Sequence, residues 1–316
     1  MTGTYTHNPV FSRITLALME DTGWYIANYS NAEIWTWGKG LGCAFVHLSC
    51  FDFGLNEKPF CVEVGNGDSS MTRTQCTEPD RGAVGICNLK AFDDAIPAHY
   101  RYFKDYDKLG GSVVLADYCP FVQDFNWRQR GVIIRGSTCE VEENNPEPAN
   151  NFALETYGSD STCLDQYKPW DMLQCTKIRH STHWGSGCYR VRCLPTQPLL
   201  GGKPSINLVV DIHNRSFHCA YPRQKLNVQV MKDGWLYVGF LTCPESCRFI
   251  CTDHPDYHPD NDPHWCYKRD SNFMMLGYST DSLQCKARFS YLCEPLLMFL
   301  NFLVILLLSS NVCIYL

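Results

Sequence analysis

Histidine and cysteine are the residue types whose spacing in this 316-residue chain could support chemistry. The densest group lies in CTDHPDYHPDNDPHWC, where His254, His258 and His264 alternate with aspartates between Cys251 and Cys266. Imidazoles among carboxylates can hold a divalent ion weakly. The prolines forbid helical presentation of those ligands, and a solvated loop pinned by its two cysteines accounts for the same composition. Cys243, Cys247 and Cys251, spaced by four, could be thiolate ligands, but structural zinc sites use a tetrahedral set with a tighter first pair, and disulfides are expected instead. His180 and His183 stand three apart beside Asp171 without a glutamate at the general-base position, which predicts surface residues on a Trp-rich loop. Gly67-Asp68-Ser69 has the form of a serine-protease nucleophile triplet but lacks the glycines that should follow it, which predicts a turn in a polar loop. No His-Glu-x-x-His, the helical pair that holds catalytic zinc, occurs among the ten histidines. No catalytic residue is therefore assigned in this chain.

The elements that would position such groups are mostly short strands. Only the amino-terminal region reads as helical: Ser12 is an N-cap, Ile14, Ala17, Leu18 and Asp21 follow at helical spacing, and Gly23 stops the helix as a C′ glycine. Trp24, Trp35 and Trp37 then bring large apolar area into a glycine-closed loop, and without a partner that face would be exposed. Beyond residue 46, Ser112–Leu115, Gly131–Arg135, Asn207–Ile212, Leu226–Met231 and Trp235–Leu241 are β-branched or aromatic runs bounded by turn formers, predicting strands. Leu226, Val228 and Val230 alternate, and Lys232-Asp233-Gly234 precedes Trp235, which predicts a hairpin. The acidic, Pro/Asn-rich stretch from Glu140 to Asn151 is expected to be a loop.

Nineteen cysteines, eighteen of them from Cys43 to Cys293, point to an extracellular disulfide framework of up to nine bridges. Each bridge contributes roughly 2 to 4 kcal/mol, which a thin core needs. The opening residues show neither a basic region nor an apolar run of about 7 to 15 residues, so a disulfide-rich product implies that its export signal lies outside this sequence. Asn28-Tyr29-Ser30 and Asn214-Arg215-Ser216 are N-glycosylation sequons. Residues 295–316 carry no charge and are long enough to span a bilayer or to form a GPI-attachment signal, with Ser279 to Ser282 as small polar candidates upstream. A net charge of −6 with scattered Lys and Arg argues against nucleic acid as a partner.

Asp21-Thr22-Gly23-Trp24-Tyr25, preceded by the helix and by Met1-Thr2-Gly3, resembles the stretch just downstream of the zinc site in the leishmanolysin family of metzincin metalloendopeptidases. Further landmarks come in family order: Cys76 with Ala83-Val84-Gly85-Ile86-Cys87, Gly110-Gly111-Ser112-Val113, Asp117-Tyr118-Cys119-Pro120, Gly185-Ser186-Gly187-Cys188-Tyr189, and Asp233-Gly234-Trp235 leading to Cys243-Pro244-Glu245-Ser246-Cys247. The likeness covers residues 1 to 255 and points to the leishmanolysin-like or invadolysin branch.

The resemblance places Met1 at the Met-turn, a structural position, so the three zinc histidines and the water-activating glutamate would lie upstream of it. It implies an α+β, mostly β fold. Residues 1–45 would end the catalytic domain, 46–294 would form a cysteine-rich extracellular domain of mainly antiparallel β structure, and 295–316 would be the hydrophobic tail. It implies a zinc cofactor for the whole protein and none for this chain, protein or peptide substrates at the cell surface, membrane attachment through the tail, and roles in adhesion and migration. The chain alone is expected to be inactive. The alternative function is a non-catalytic cell-surface binding module.

Overall fold

Ile206, Leu208, Val210 and Ile212 are all buried, while on the other face Asn207 and Asp211 are only partly so and Val209 alone is buried. Alternation of this kind turns one face of a strand to the interior, and it recurs in Leu226, Val228 and Val230. A computed structural model describes residues 10–62 apart from 34, 36, 56 and 58, residues 72–247 apart from 79, 182 and 197–204, and residues 250, 251 and 267. All of them belong to one unit within Met1–Ser282. Met1, Gly67-Asp68-Ser69, His254, His258, His264 and the apolar tail lie outside the described residues.

Three short helices open the chain: α1 (Arg13–Asp21), α2 (Gly42–His47) and α3 (Cys50–Gly54). Ser12 caps α1 as expected, its Oγ accepting from Thr15 N at 3.2 Å, and Gly23 beyond it adopts a φ of +73°. The first eight strands are short: β1 (Thr72–Arg73), β2 (Gln75–Cys76), β3 (Val84–Cys87), β4 (Leu89–Ala91), β5 (Leu109–Gly111), β6 (Val122–Asp124), β7 (Trp127–Gln129) and β8 (Val132–Arg135). They form the antiparallel sheet β2-β3-β6 and the ribbons β4-β5 and β7-β8. Ser112–Leu115, expected as a strand, instead enters a 3-10 turn over Val114–Ala116. The strand ends at Gly111, where a Cβ would meet the carbonyl oxygen of Cys119 at 2.3 Å, so the chain folds back on itself rather than extending.

The second half holds the large sheet, and its mainly antiparallel character agrees with the sequence reading. Its strands are β9 (Ser161–Gln166), β10 (Asp171–Gln174), β11 (Lys177–His180), β13 (Ser186–Thr196), β14 (Ser205–Ile212), β15 (Arg215–Cys219), β16 (Lys225–Lys232) and β17 (Trp235–Thr242), while β12 (His183–Trp184) pairs with β1. The order is β11-β10-β17-β9-β13-β14-β15, with β16 along β17. The expected hairpin is present: Lys232 pairs with Trp235 across Asp233 and Gly234, both at positive φ (50° and 76°). The interior is filled by Leu164, Tyr189, Phe217, Tyr237 and Leu241 together with the alternating residues above. Trp170, fully buried, lies on the backbone of Gly239, where a Cβ would come within 2.2 Å of the indole.

Disulfides fasten the short strands to the large sheet. Cys76 bonds Cys163 and Cys139 bonds Cys188. Cys163 and Cys188 are themselves register partners across β9 and β13. Cys50–Cys119, Cys61–Cys87, Cys193–Cys251 and Cys219–Cys243 complete the bridges whose partners are both described. Cys175 and Cys247 are also disulfide-bonded. Cys43, which the sequence reading placed within the framework, is instead unpaired and exposed.

Candidate functional site

Three places gather polar or apolar groups in ways that ask for an explanation. The first is the amino-terminal segment. Its polar side is internally satisfied: Glu33 Oε2 accepts from Phe11 N at 2.7 Å, and Tyr29 OH donates to Glu20 at 2.6 Å. Arg13 lies over the Tyr29 ring at 5.0 Å. The apolar side has no cover. No residue of α1 is buried, and Phe11, Ile14, Trp24 and Ile26 are 70, 68, 85 and 96% exposed. Large apolar side chains gathered in one short exposed segment are a feature of interaction sites in soluble proteins. Asn28 belongs to this segment, and its Oδ1 accepts from Ser30 N at 3.1 Å and from Ser30 Oγ at 2.6 Å, capping a 3-10 turn.

The second is an open cleft of about 460 Å³ walled by Leu48–Asp52, His99–Tyr102, Ala116, Asp117 and Cys119. Phe51 stacks on Tyr102 with centroids 6.4 Å apart, and the Tyr102 hydroxyl donates to the Asp117 carbonyl at 2.9 Å. Its Ser49–Asp52 contact is a reciprocal helix cap rather than an activated nucleophile: Asp52 N donates to Ser49 Oγ at 3.1 Å while Ser49 Oγ donates to the Asp52 carboxylate at 2.7 Å.

The third is a buried polar network. Arg135 Nη1 donates to Tyr157 OH at 2.9 Å and to the Asn144 carbonyl at 3.1 Å, and the Tyr157 hydroxyl donates to Glu155 Oε2 at 2.9 Å. Burial raises the Glu155 pKa, against the lowering effect of nearby Arg135 and the Tyr157 hydrogen bond. Asn144, Asn145 and Asn151 hold the surrounding loop through their carboxamides: Asn145 Oδ1 accepts from Tyr157 N at 2.9 Å, and Asn151 Oδ1 from Glu155 N at 2.7 Å. The expected loop from Glu140 to Asn151 is thus a pinned structure containing two 3-10 turns, Glu142–Asn144 and Pro148–Asn150. Sequence reasoning missed this network, although the run of asparagines was its one visible sign.

The histidines separate. His180 ends β11 opposite Asp171, and its Nδ1 lies 2.7 Å from Asp171 Oδ1 on an exposed edge. His183 corrects the expectation of a surface residue: it is partly buried, its ring centroid 4.5 Å from that of Trp127 with the planes tilted by 50°, and its pKa falls to about 4 through burial and then Arg135. Cys243, Cys247 and Cys251 all form disulfides, as expected. Asn214 is exposed at the β14–β15 turn.

Zinc, which the resemblance implies, finds no fitting ligand set among the described residues. The sequence lacks His-Glu-x-x-His, and among the described residues no three His, Cys, Asp or Glu side chains converge in a way that could hold a metal. Among the described residues, too, no helix is long and apolar enough to cross a membrane.

The sequence profile of the leishmanolysin family matches residues 1–256. The leishmanolysin-like peptidase of Drosophila melanogaster is 43% identical over 267 residues, which is 79% of this chain and 37% of that protein. The Caenorhabditis elegans leishmanolysin-like peptidase is 37% identical over 283 residues, 82% of this chain and 41% of the relative. Leishmanolysin of Leishmania donovani is 26% identical over 238 residues, 74% of this chain and 35% of that protein. The chain thus spans less than half the length of these curated relatives. With most of its length matched, this chain belongs to the leishmanolysin family, whose members are metallopeptidases.

Proposed function

We propose that this chain is the carboxy-terminal part of a cell-surface zinc metalloendopeptidase, and that the polypeptide carrying the zinc histidines and the general-base glutamate lies outside these 316 residues. The observation that carries the reading is the uncovered apolar face of Phe11, Ile14, Trp24 and Ile26. Four large apolar side chains exposed within one short segment call for a partner, and the relatives hold more than half their length beyond the matched region. Exposed Cys43, unpaired beside paired neighbours, fits a bridge to the same missing portion. In this reading residues 1–45 close the catalytic domain, 46–294 form the extracellular cysteine-rich domain, and 295–316 attach the protein to the membrane as a GPI signal or a spanning helix. Substrates are surface or matrix proteins, through which the enzyme acts in adhesion and migration. Met1 occupies the Met-turn position, a structural role.

This chain's own residues then act indirectly. They would cover one wall of the catalytic domain, while the disulfides brace the cysteine-rich domain that follows. The test compares residues 1–316 with the longest native product from the same source. The longer protein should cleave casein in a chelator-sensitive way, and the 316-residue chain should not. Chelator-sensitive cleavage by the short chain would overturn the reading, as would a native product of 36.1 kDa beginning at Met1.

A further inference from the structure

The hairpin that joins β14 to β15 turns on only two residues, His213 and Asn214, with Ile212 paired to Arg215 across it. His213 takes the left-handed conformation (φ 56°), which holds the turn tight and projects Asn214 at its tip. Asn214 is exposed, as are His213, Arg215 and Ser216 around it, and its carboxamide makes no hydrogen bond to a described residue. The base of the turn is stiff: Ser216 Oγ donates to Asp211 Oδ1 at 2.6 Å, and Asp211 also accepts from Arg192 Nη2 at 2.8 Å. Among the described strands β15 closes the order of the large sheet, and its start at Arg215 and Ser216 is exposed. Open edges pair with other chains unless something covers them.

We propose that Asn214 carries an N-linked glycan that guards this edge, and that Asn28 carries none. Disulfides at all described cysteines but Cys43 indicate passage through the oxidising compartment where such glycans are attached. In the attachment step, Asn214 Nδ2 attacks the anomeric carbon of a lipid-pyrophosphate-linked oligosaccharide. The new N–C bond replaces the C–O bond to the pyrophosphate, which departs with the electron pair, and the amide nitrogen loses one proton. Asn28 also sits in a sequon, but it comes just after Trp24, Tyr25 and Ile26, which are 85, 59 and 96% exposed. A hydrated oligosaccharide there would prevent burial of that face. The Asn28 half of the proposal therefore rests on the reading given under Proposed function, whereas the Asn214 half does not.

The test is peptide mapping of the native, disulfide-bonded protein from animal cells, with enzymatic glycan release in heavy-oxygen water. Asn214 should be recovered as labelled aspartate and Asn28 as unmodified asparagine. On gels, Asn214→Gln and Ser216→Ala should each reduce the mobility shift on glycan release by the same one-glycan step, and Asn28→Gln should leave it unchanged. Unmodified Asn214 in the wild-type protein would overturn the proposal even if the variants fail to fold. A glycan at Asn28 would overturn the second half and would count against a covered apolar face, leaving the peptidase assignment to the cleavage test.

Discussion

The hydroxyl of Tyr157 donates a 2.9 Å hydrogen bond to the buried carboxylate of Glu155 while accepting from Arg135 at the same distance. One phenol thus joins an acid and a base that belong to different segments of the chain. Tyr157→Phe should cost about 1 to 3 kcal/mol, because it leaves Glu155 and Arg135 each short of a partner in a buried setting. The check is the denaturant midpoint of the disulfide-bonded protein, and an unchanged midpoint would contradict this account.

His183 should make stability depend on pH. Its folded pKa, about 4, lies below the ordinary value of 6.5, so the unfolded chain binds the extra proton between those limits. The stabilisation is complete above pH 6.5 and is lost as pH falls toward 4, with an upper bound of about 3 kcal/mol before solvent screening. Glu155, whose folded pKa is raised, works in the opposite sense, since its contribution is present at low pH and is lost as pH rises through its folded value. Comparing wild type with His183→Gln at pH 7 and pH 5 isolates the histidine: the variant should lose the part of the slope that favours neutral pH.

Trp170→Ala should be among the most damaging substitutions in the large sheet, by about 3 to 5 kcal/mol, since it empties a fully buried indole site. Gly239→Ala should also destabilise, by about 1 to 3 kcal/mol, because the added methyl would stand within 2.2 Å of that same ring. Unfolding curves of the two variants and of the double variant measure the coupling. Gly239→Ala should cost less once Trp170 is gone.

Residues 1–316 prepared alone should self-associate through the amino-terminal face. Trp24→Ser with Ile26→Lys should shift the species toward monomer in light scattering, with little effect on disulfide content. A monomeric wild type at tens of micromolar would show that the face needs no cover.

Maleimide under native, non-reducing conditions should label the Cys43 peptide of the isolated chain and leave the peptides of the bonded cysteines unlabelled. In a longer native product Cys43 should be protected. Labelling there would argue against a bridge to the missing portion.

What the sequence revealed came from local rules. Ser12 and Gly23 bounded α1 because capping acts within a few residues, and Asp233-Gly234 fixed the β16–β17 hairpin through its positive φ angles. Val114–Ala116 misled because β-branched residues favour strands only where the backbone can extend, and the packing of Gly111 against Cys119 prevents it. The disulfide partners were hidden because contacts such as Cys76–Cys163, separated by 87 residues, are set by topology. His183 was misplaced for the same reason, since Trp127 and Arg135 reach it only after folding. Cys43 could not be distinguished from its neighbours until their partners were known.

Cys163 and Cys188 face each other across β9 and β13, yet each is bonded to a different strand-poor segment earlier in the chain. During biosynthesis those two thiols meet as soon as the strands pair, and a bridge between them would block both correct partners. Any molecule that takes this shortcut must pass through exchange, in which a third thiolate reopens it before Cys76 and Cys139 can be captured. Cells short of disulfide isomerase should accumulate this protein as a scrambled, retained species, even though every strand of its large sheet could form.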